Sequence, residues 1–525
     1  MMRAAVPILI ALLLAASRAA GQVVPSGFAV EPLAQGLNSP TALQLMPDDR
    51  VLFAEQFTGR VRVFVPGFPV QSTPVLQLTD VTTDGGERGL LGVALDPAYP
   101  TRPYLYVHYT AGLPNRIRIA RFTLANVPNG DGLDLVADPL SRYELIDDIP
   151  DQATNHNGGT VRFAADGLLY VSLGEDAQPC AAQDTTALRG KILRLDVSKL
   201  PPGSGRAFRG QITPFDNPFV SRPDSNARLV VALGLRNPFR IQPDPVRRWL
   251  VIGDVGDQAR EELDVLVLRL PTPRPAQPEM GADYGWPFLE GSIPGRFASG
   301  CGPVPPNLSD PEFEYDRTTQ LGGAAIIAAG AYWPTGSGLY DFPPEYSGNL
   351  FANDYYSGTL YRLEPFGSGF APGPDVPGQP APGKWGTGFD AVSDWALFRD
   401  GAFYFCRQSI GFAANSGVIG RIINTTPPPP PTPPLAIAIT PVPAVGGANL
   451  VLSGVIAPFV LTIHDLNGRR VRRIPESDLQ LTPGGKWRGA WDGRDDDGRA
   501  VHPGLFVARV ESAGRTAAAR VPFLR

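Results

Sequence analysis

The feature that most constrains the fold of this chain is a strand–turn–strand unit that recurs along it. In each copy an apolar or aromatic strand ends in a polar loop, and a second strand follows after a turn. Repeats of this kind are typical of β-propeller blades, whose loops surround a central channel. We therefore predict an all-β fold with a six-bladed β-propeller over residues 27–424, in which the polar residues between strands carry the function. The copies are 51–64, 105–119, 168–195, 250–266, 349–363 and 403–422.

Length and charge narrow the classes of function. The chain has 525 residues, which favours two or more domains. Its formal net charge is −5, and no basic stripe is present to neutralise phosphates, which argues against a nucleic-acid partner. In an all-β chain with long loops, the 58 glycines and 57 prolines are turn residues.

The N-terminus has the pattern of a secretory signal peptide over residues 1–21. Arg3 precedes a short apolar run, 4–16, and small residues follow it. An uncleaved anchor is the alternative, although the run is short for spanning a bilayer. No later stretch is long and apolar enough to cross a membrane, so we expect a secreted, periplasmic or cell-surface protein.

A proline-rich linker, 425–434, separates the predicted propeller from a smaller domain, 435–525. Its polyproline run, 427–434, extends by ~3.1 Å per residue, so we expect it to hold two bodies apart by ~25 Å. In the smaller domain, the runs 461–466 and 504–510 are predicted strands, and Asn467-Gly468 is a predicted hairpin turn. This layout predicts a small immunoglobulin-like β-sandwich.

The smaller domain carries the motifs Asp465-Leu466-Asn467-Gly468-Arg469-Arg470-Val471, Trp491-Asp492-Gly493-Arg494-Asp495 and Gly504-Leu505-Phe506. With them it resembles the immunoglobulin-like domain of flagellar-hook-capping proteins, which is often appended to exported bacterial proteins. The resemblance implies a bacterial source and attachment to the cell envelope, with no chemistry. The acidic run 492–498 lacks the pattern of a calcium-binding loop, and we interpret it as a solvated turn.

Three cysteines are present, Cys180, Cys301 and Cys406. Their spacing does not resemble a zinc site. One disulfide with a spare thiol and three buried free thiols remain equal alternatives, and the sequence does not select a pair.

His156 differs from the other three histidines in its surroundings. It lies in the polar loop Thr154-Asn155-His156-Asn157-Gly158-Gly159, directly before a predicted strand. Asparagines and a double glycine allow a backbone or a ligand to approach closely. A histidine held in such a loop can act as a general base. His108 and His464, in predicted strands, are better explained as structural residues, and His502 precedes a proline in a turn.

The His156 loop is one of several motifs that occur in order across four predicted blades. Together they resemble the glucose/sorbosone dehydrogenase family over residues 28–423. The resemblance implies a secreted six-bladed propeller that oxidises sugars with pyrroloquinoline quinone (PQQ) and calcium. The motifs are Asn155 to Gly159, Phe163 to Glu175, Glu87 to Gly92, Ala182 to Asp184, Leu188 to Lys191, Gly234 to Arg240, Gly253 to Asp257, Glu261 to Asp264 and Asp283 to Pro287.

The resemblance implies catalytic roles for three residues. His156 would take the proton of a sugar hydroxyl as hydride passes to the quinone. Arg236 would stabilise the negative charge that develops at the reactive carbonyl of the cofactor. Glu175 stands where the family has a carboxylate that holds the histidine, and a strand-end turn is its alternative.

Binding roles follow from the same resemblance. Asn237 would orient the cofactor, and Glu87 would face cofactor or substrate, with a surface ion pair to Arg88 as the alternative. The backbone carbonyls of Gly256 and Asp257 would bind calcium, because hard oxygen ligands suit this ion.

The cationic positions of the family are altered in this chain. Family enzymes hold the quinone carboxylates with a lysine in the fifth blade and two arginines in the sixth. Here Tyr356 stands at the lysine position, and residues 388–395 contain no arginine. A polyanionic cofactor needs cationic partners, which Arg399 or Arg407 would have to supply. Aromatic residues that could form a stacking wall, or else pack between blades, are Tyr355, Tyr356, Trp286, Trp333, Phe389 and Trp395.

Three functions agree with these residues. The first is an exported PQQ-dependent sugar dehydrogenase that passes electrons to an envelope acceptor. The second is a non-catalytic propeller that binds a glycan or a protein, as in hedgehog-interacting proteins, with the smaller domain as anchor. The third is a calcium-dependent hydrolase in the same channel. The His156 loop with Arg236-Asn237 favours the first, and the missing cationic residues favour the second.

Overall fold

The computed structural model describes residues 21–129, 132–268, 280–319, 323–410, 413–426, 435–441, 447–455, 457–482, 486–512 and 515–523. The chain divides into two compact units, Met1–Thr426 and Pro427–Arg525. The signal peptide predicted at 1–21 and the linker predicted at 425–434 lie almost entirely outside the described residues. No helix among the described residues is both long and apolar enough to cross a membrane.

The regular secondary structure of the first unit is almost entirely β-strand. Its helical turns are Pro179–Ala182, α1 (Arg209–Ile212), Ala227–Leu229, Ala298–Gly300, Arg317–Thr319 and Pro344–Tyr346. Its described strands are β1 (Phe28–Leu37), β2 (Pro40–Leu45), β3 (Val51–Glu55), β4 (Arg60–Phe64), β5 (Leu76–Gln77), β6 (Leu90–Leu95), β7 (Tyr104–Ala111), β8 (Arg116–Asn129), β9 (Gly132–Pro150), β10 (Val161–Phe163), β11 (Leu169–Leu173), β12 (Lys191–Leu195), β13 (Gly205–Arg206), β14 (Val230–Leu233), β15 (Pro238–Asp244), β16 (Trp249–Asp254), β17 (Arg260–Val267), β18 (Ala282–Asp283), β19 (Leu289–Glu290), β20 (Ile293–Pro294), β21 (Phe313–Asp316), β22 (Ile326–Ala331), β23 (Leu350–Asp354), β24 (Leu360–Phe366), β25 (Gly369–Pro372), β26 (Val392–Leu397), β27 (Phe403–Arg407) and β28 (Gly417–Asn424).

These strands form six sheets, which are the blades of a propeller, and β19 and β20 form a separate small hairpin. Each sequence repeat supplies the second and third strands of one blade, as in the pairs β3–β4 and β11–β12. The second strands β3 and β11 are buried along their whole length, which explains their nearly continuous apolar runs. Blades one to six have the strand orders β2-β3-β4-β5, β6-β7-β8-β9-β13, β10-β11-β12-β14-β18, β15-β16-β17-β21, β22-β23-β24-β25 and β26-β27-β28-β1.

The ring of blades is closed by backbone pairing and by apolar packing. Strand β1 pairs antiparallel with β28, from Phe28 opposite Asn424, so that the start of the propeller completes blade six. An apolar cluster fills the interface between every two neighbouring blades, and burial of these side chains is the main force holding the ring together. Representative members are Leu52 and Val107 (blades one and two), Tyr106 and Leu193 (two and three), Tyr170 and Ile252 (three and four), Val251 and Ala328 (four and five), Phe351 and Phe403 (five and six), and Tyr404 and Phe53 (six and one).

Buried polar side chains meet at the centre of the ring. The Arg240 guanidinium of blade four donates to the carbonyls of Thr41 in blade one and Leu91 in blade two, at 2.6 and 3.0 Å. Asp394 of blade six accepts a hydrogen bond from Arg162 of blade three at 2.6 Å. Charged side chains can be buried when they are paired and hydrogen-bonded. Through these hydrogen bonds the network connects five of the six blades. The predicted six-bladed propeller is confirmed.

The second unit is a sandwich of two antiparallel sheets, with the orders β29-β30-β34-β33 and β32-β31-β35-β36. Its core draws Leu450 and Trp491 from the first sheet and Leu461 and Val510 from the second. The predicted β-sandwich is confirmed, whereas its likeness to the immunoglobulin-like domain of hook-capping proteins stays a prediction. The strands are β29 (Ala436–Pro441), β30 (Ala448–Ser453), β31 (Phe459–His464), β32 (Arg470–Ile474), β33 (Gln480–Leu481), β34 (Trp487–Trp491), β35 (Gly504–Ser512) and β36 (Arg515–Phe523), with a helical turn at Glu476–Asp478.

The cysteine question left open by the sequence is resolved. Cys180 and Cys301 form a disulfide, which joins the third blade to the segment before β21, 121 positions later. Cys406 is a buried free thiol in β27, and burial raises its pKa, so it is not a reactive thiolate.

Candidate active site

A cavity of about 890 Å³ opens on the axis of the propeller. Its lining residues come from all six blades, mainly from segments that precede the innermost strands or follow the second strands. Of the predicted site residues, Glu175 and Asp257 lie behind the wall. The predicted residues that line the cavity are Glu87, His156, Arg236, Asn237, Gly256 and Tyr356.

The imidazole of His156 is held through one of its ring nitrogens. Nδ1 of His156 lies 2.5 Å from Oε1 of Glu175, a carboxylate that is 1% exposed. Because an ionised carboxylate only accepts, Nδ1 carries the proton, and Nε2 is the basic nitrogen left for the cavity. Glu175 therefore takes the histidine-holding position that the resemblance implies.

Two features of the backbone force this loop into place. His156 itself has a φ of 61°, a left-handed conformation that is uncommon for a residue with a side chain. Gly174, at the end of β11, allows the loop to approach, because a Cβ there would lie 2.1 Å from the His156 carbonyl oxygen. Such local strain, held by the surrounding fold, is common at functional sites.

Arg236 and Asn237 are fixed by one buried carboxylate. Asp254, at the end of β16, accepts the backbone N–H of Arg236 at 2.8 Å and that of Asn237 at 2.6 Å. Burial raises the pKa of Asp254 to about 7, while these two amide hydrogen bonds act in the opposite direction. The Arg236 guanidinium donates to the carbonyl of Val255 at 2.9 Å and lies over the ring of Trp286.

The charge of Arg236 is only partly balanced. Its Nη2 lies 3.4 Å from Oδ1 of Asp257, whose other oxygen is 2.9 Å from Nε of Arg296. Two guanidinium groups thus share one carboxylate, so Asp257 alone does not neutralise Arg236. Nε of Arg236 is buried without a hydrogen-bond partner among the described residues.

Glu87 connects the histidine loop to Asn237. Its carboxylate accepts from Nδ2 of Asn237 at 3.0 and 3.1 Å and from the backbone N–H of Asn157 at 3.1 Å. Oδ1 of Asn237 in turn accepts the N–H of Gly158 at 3.0 Å. Glu87 is therefore part of the site and does not form the surface ion pair with Arg88, which pairs instead with Asp151.

The aromatic wall is smaller than the sequence predicted. Tyr355 and Tyr356 line the cavity, and Phe57, which the sequence did not single out, joins them. The hydroxyl of Tyr355 donates to Gln408 at 2.6 Å. The remaining candidates lie elsewhere: Phe389 and Trp395 in the core between blades five and six, Trp286 behind Arg236, and Trp333 against Arg247.

The predicted calcium position holds a guanidinium. The carbonyl oxygen of Gly256 accepts a hydrogen bond from Nη1 of Arg317 at 2.7 Å, and the same nitrogen is paired with Glu261. The described part of the chain contains no group of three or more His, Cys, Asp or Glu side chains arranged to hold a metal ion. The residues present therefore do not fit a calcium ion at Gly256.

Arg317 is the charged cavity residue that sequence reasoning missed. The two arginines considered as substitutes for the lost cations lie elsewhere, since Arg399 pairs with Asp49 and Arg407 with Asp390, and neither lines the cavity. Arg317 belongs to a helical turn after β21 with no recognisable motif. The only signal was indirect: Tyr356 at the lysine position requires a cation from elsewhere.

Comparison with known proteins places these observations in a family. The family profile described as glucose / sorbosone dehydrogenase matches residues 37–364, more than half of the chain. An aldose sugar dehydrogenase of Escherichia coli K12 is 28% identical over 274 residues, 51% of this chain and 64% of that protein. Quinoprotein glucose dehydrogenase B of Acinetobacter calcoaceticus is 24% identical over 283 residues, 49% of this chain and 51% of that protein.

A human hedgehog-interacting protein is 26% identical over 187 residues, 32% of this chain and 26% of that protein. The matches thus span less than two thirds of the length of these three relatives. A solved structure from Thermus thermophilus, described as an oxidoreductase (glucose dehydrogenase), has 25% identity and a TM-score of 0.55, over 75% of this chain and 100% of that chain. PQQ-bound aldose sugar dehydrogenase of Streptomyces coelicolor, 22% identical with a TM-score of 0.52 over 76% of this chain and 99% of that chain, shows the shared fold.

Proposed function

This chain belongs to the glucose/sorbosone dehydrogenase family, and we propose on that premise that it is a quinone-dependent oxidoreductase acting on a sugar hydroxyl. The observation that carries the proposal is the pairing of two groups in one cavity. His156 presents a basic Nε2 because Glu175 holds Nδ1, and Arg236 supplies a positive charge to the same space. A base can remove the proton of a hydroxyl. A fixed cation can stabilise the negative charge that develops at a hydride acceptor.

The cavity has room and charge for PQQ. Its volume of about 890 Å³ exceeds what a tricyclic quinone needs and leaves space for a sugar. Arg236 and Arg317 would face the carboxylates and carbonyls of the cofactor, Asn237 would hydrogen-bond it, and Tyr355 and Tyr356 offer ring faces for stacking. When bound, PQQ supplies an acceptor for two electrons. Calcium is not part of this proposal, because Arg317 occupies the predicted ligand at Gly256.

Each residue of the site has a separate role in the proposed reaction. Nε2 of His156 accepts the proton of the sugar hydroxyl, while the hydride leaves the carbon that bears this hydroxyl. Glu175 stabilises the imidazolium that forms and keeps the ring oriented. Arg236, fixed by Asp254 through its backbone, offsets negative charge as it develops at the acceptor. Through their hydrogen bonds, Glu87 and Asn237 fix the position of the His156 loop relative to Arg236.

One observation favours a second function, a propeller that binds a glycan or a protein without redox chemistry. Tyr356 stands where family enzymes have a lysine, and hedgehog-interacting proteins are among the relatives. The third hypothesis, a calcium-dependent hydrolase, has no observation in its favour among the described residues. Export, transfer of electrons to an envelope acceptor, and envelope attachment through the second unit remain parts of the proposal that rest on the sequence.

The test is binding followed by turnover. The purified full chain is titrated with PQQ, followed by absorbance, and dye reduction is then measured across a panel of aldoses. We expect binding, aldose-dependent reduction, and a loss of at least about 10²-fold in kcat for His156→Asn. His464→Asn, in the second unit, is the matched control and should retain full activity. Absence of PQQ binding and of turnover would leave the binding propeller as the better account.

A further inference from the structure

One cationic side chain at the cavity is assigned no role by the family resemblance. Arg317 reaches the wall from the helical turn between β21 and β22, and its side chain is 20% exposed. Nη1 is held from behind by the Gly256 carbonyl and by Glu261. Neither Nε nor Nη2 donates a hydrogen bond to any of the described residues, so these donors remain for a ligand.

The partner that holds Arg317 is itself firmly placed. Glu261 lies in β17 with a side chain that is 0% exposed, and its second oxygen accepts the backbone N–H of Ile326 at 2.8 Å. A charged pair with one member fully buried keeps its geometry, because breaking it would leave a bare buried carboxylate. The Arg317 guanidinium is therefore a fixed cation and does not move freely as a surface side chain would.

The position of this guanidinium matters for ligand chemistry. A divalent cation bound to the Gly256 carbonyl would lie close to the Arg317 guanidinium, which donates to the same oxygen, and the two positive charges would repel each other. Arg317 and Tyr356 line the same cavity. Burial raises the pKa of the Tyr356 phenol, and the positive charge of Arg317 partly offsets that rise. The side of the cavity that lacks the family lysine thus still carries a positive charge.

We propose that Arg317 is a ligand-binding residue that binds a carboxylate of the ligand directly and replaces a calcium ion at Gly256. Ligand binding in this cavity therefore needs no divalent cation. This inference rests on the proposed function for the identity of the ligand, a polycarboxylate such as PQQ. It extends that function by assigning the anion-binding group and by removing the metal requirement.

The primary experiment compares binding with and without calcium. The full chain is titrated with PQQ in EDTA and in calcium chloride, and we expect dissociation constants that agree within about 2-fold. Arg317→Met should weaken binding by about 10- to 100-fold, because one charge-assisted hydrogen bond is lost. Arg399→Met removes an exposed arginine distant from the cavity and should bind as the wild type does. Binding that EDTA abolishes and calcium restores would overturn the inference.

Two additions keep the test decisive. If Arg317→Met folds poorly because Glu261 is left unpaired, the double variant Arg317→Met/Glu261→Gln removes both charges and should show the same weakened binding. If PQQ does not bind at all, the proposed function fails, and quinolinate in EDTA serves as a simpler dicarboxylate probe. It should raise the melting temperature of the wild type and of Arg399→Met but not of Arg317→Met. No shift in any of these proteins, or an equal shift in all, would contradict a role for Arg317.

Discussion

At the residue scale, the proposed chemistry depends on how the imidazole of His156 is held. The carboxylate of Glu175 both fixes the tautomer of His156 and balances the charge that the ring gains on accepting a proton. The sequence could suggest this pair, since the two residues belong to consecutive motifs and lie 19 positions apart. It could not suggest Arg317, because its contact with Glu261 joins a helical turn to a strand 56 positions away with no shared motif.

The role of Glu175 leads to a prediction for Glu175→Gln. The amide is isosteric but uncharged, so it cannot stabilise the imidazolium, and kcat should fall by about 10²-fold. KM for the aldose should change by less than about 3-fold, since the amide leaves the cavity wall intact. Steady-state kinetics with PQQ-loaded protein measure both values, and Glu511→Gln in the second unit is the control. A large rise in KM with unchanged kcat would show that Glu175 acts on binding instead.

At the scale of single elements, the sequence predicted the strands well, but it did not predict which distant segments contact one another. The buried strands β3, β11 and β23 are apolar along most of their length, and each is followed by the polar turn that the repeat pattern predicts. The disulfide between Cys180 and Cys301 was beyond prediction, since its partners lie in separate segments whose approach depends on the whole ring.

The end of β11 leads to a prediction for Gly174→Ala. The added Cβ would lie 2.1 Å from the His156 carbonyl oxygen and 2.7 Å from Oδ1 of Asn237, so the histidine loop must move. We expect a loss of about 1–3 kcal/mol in the free energy of unfolding and a marked fall in turnover of the folded protein. Gly300→Ala is the control, because nothing lies within 4 Å of its added Cβ. Equal stability and activity of the two variants would contradict the packing argument.

At the scale of the whole molecule, the propeller buries carboxyl groups beside its site. Burial raises the pKa values of Glu262 and Asp264 well above their usual range, because a carboxylate is poorly solvated there. Both oxygens of Asp264 lack a hydrogen-bond partner among the described residues. The folded protein thus keeps protons that the unfolded chain releases above about pH 4, so these groups lower its stability progressively as pH rises.

This linkage predicts a pH-dependent effect of Asp264→Asn. Removing the titrating group should raise the free energy of unfolding more at pH 8 than at pH 5, because the cost of the carboxyl grows over that interval. Urea unfolding of variant and wild type at both pH values isolates Asp264 from His108 and Lys191. Burial lowers the pKa of these two bases, to about 3 and about 7, so they act in the opposite direction. A difference between variant and wild type that does not change with pH would contradict the assignment.

His156 is expected to take a proton in the same cavity in which the sugar loses hydride, and a single turnover shows whether the two events are linked. PQQ-loaded protein is mixed with an aldose in the absence of oxygen, and a single reduction of the bound quinone is followed by absorbance. We predict rapid reduction by the wild type, slowed by deuterium at the oxidised carbon, and reduction at least about 10²-fold slower in His156→Asn. Equal rates of reduction in the two proteins would contradict it.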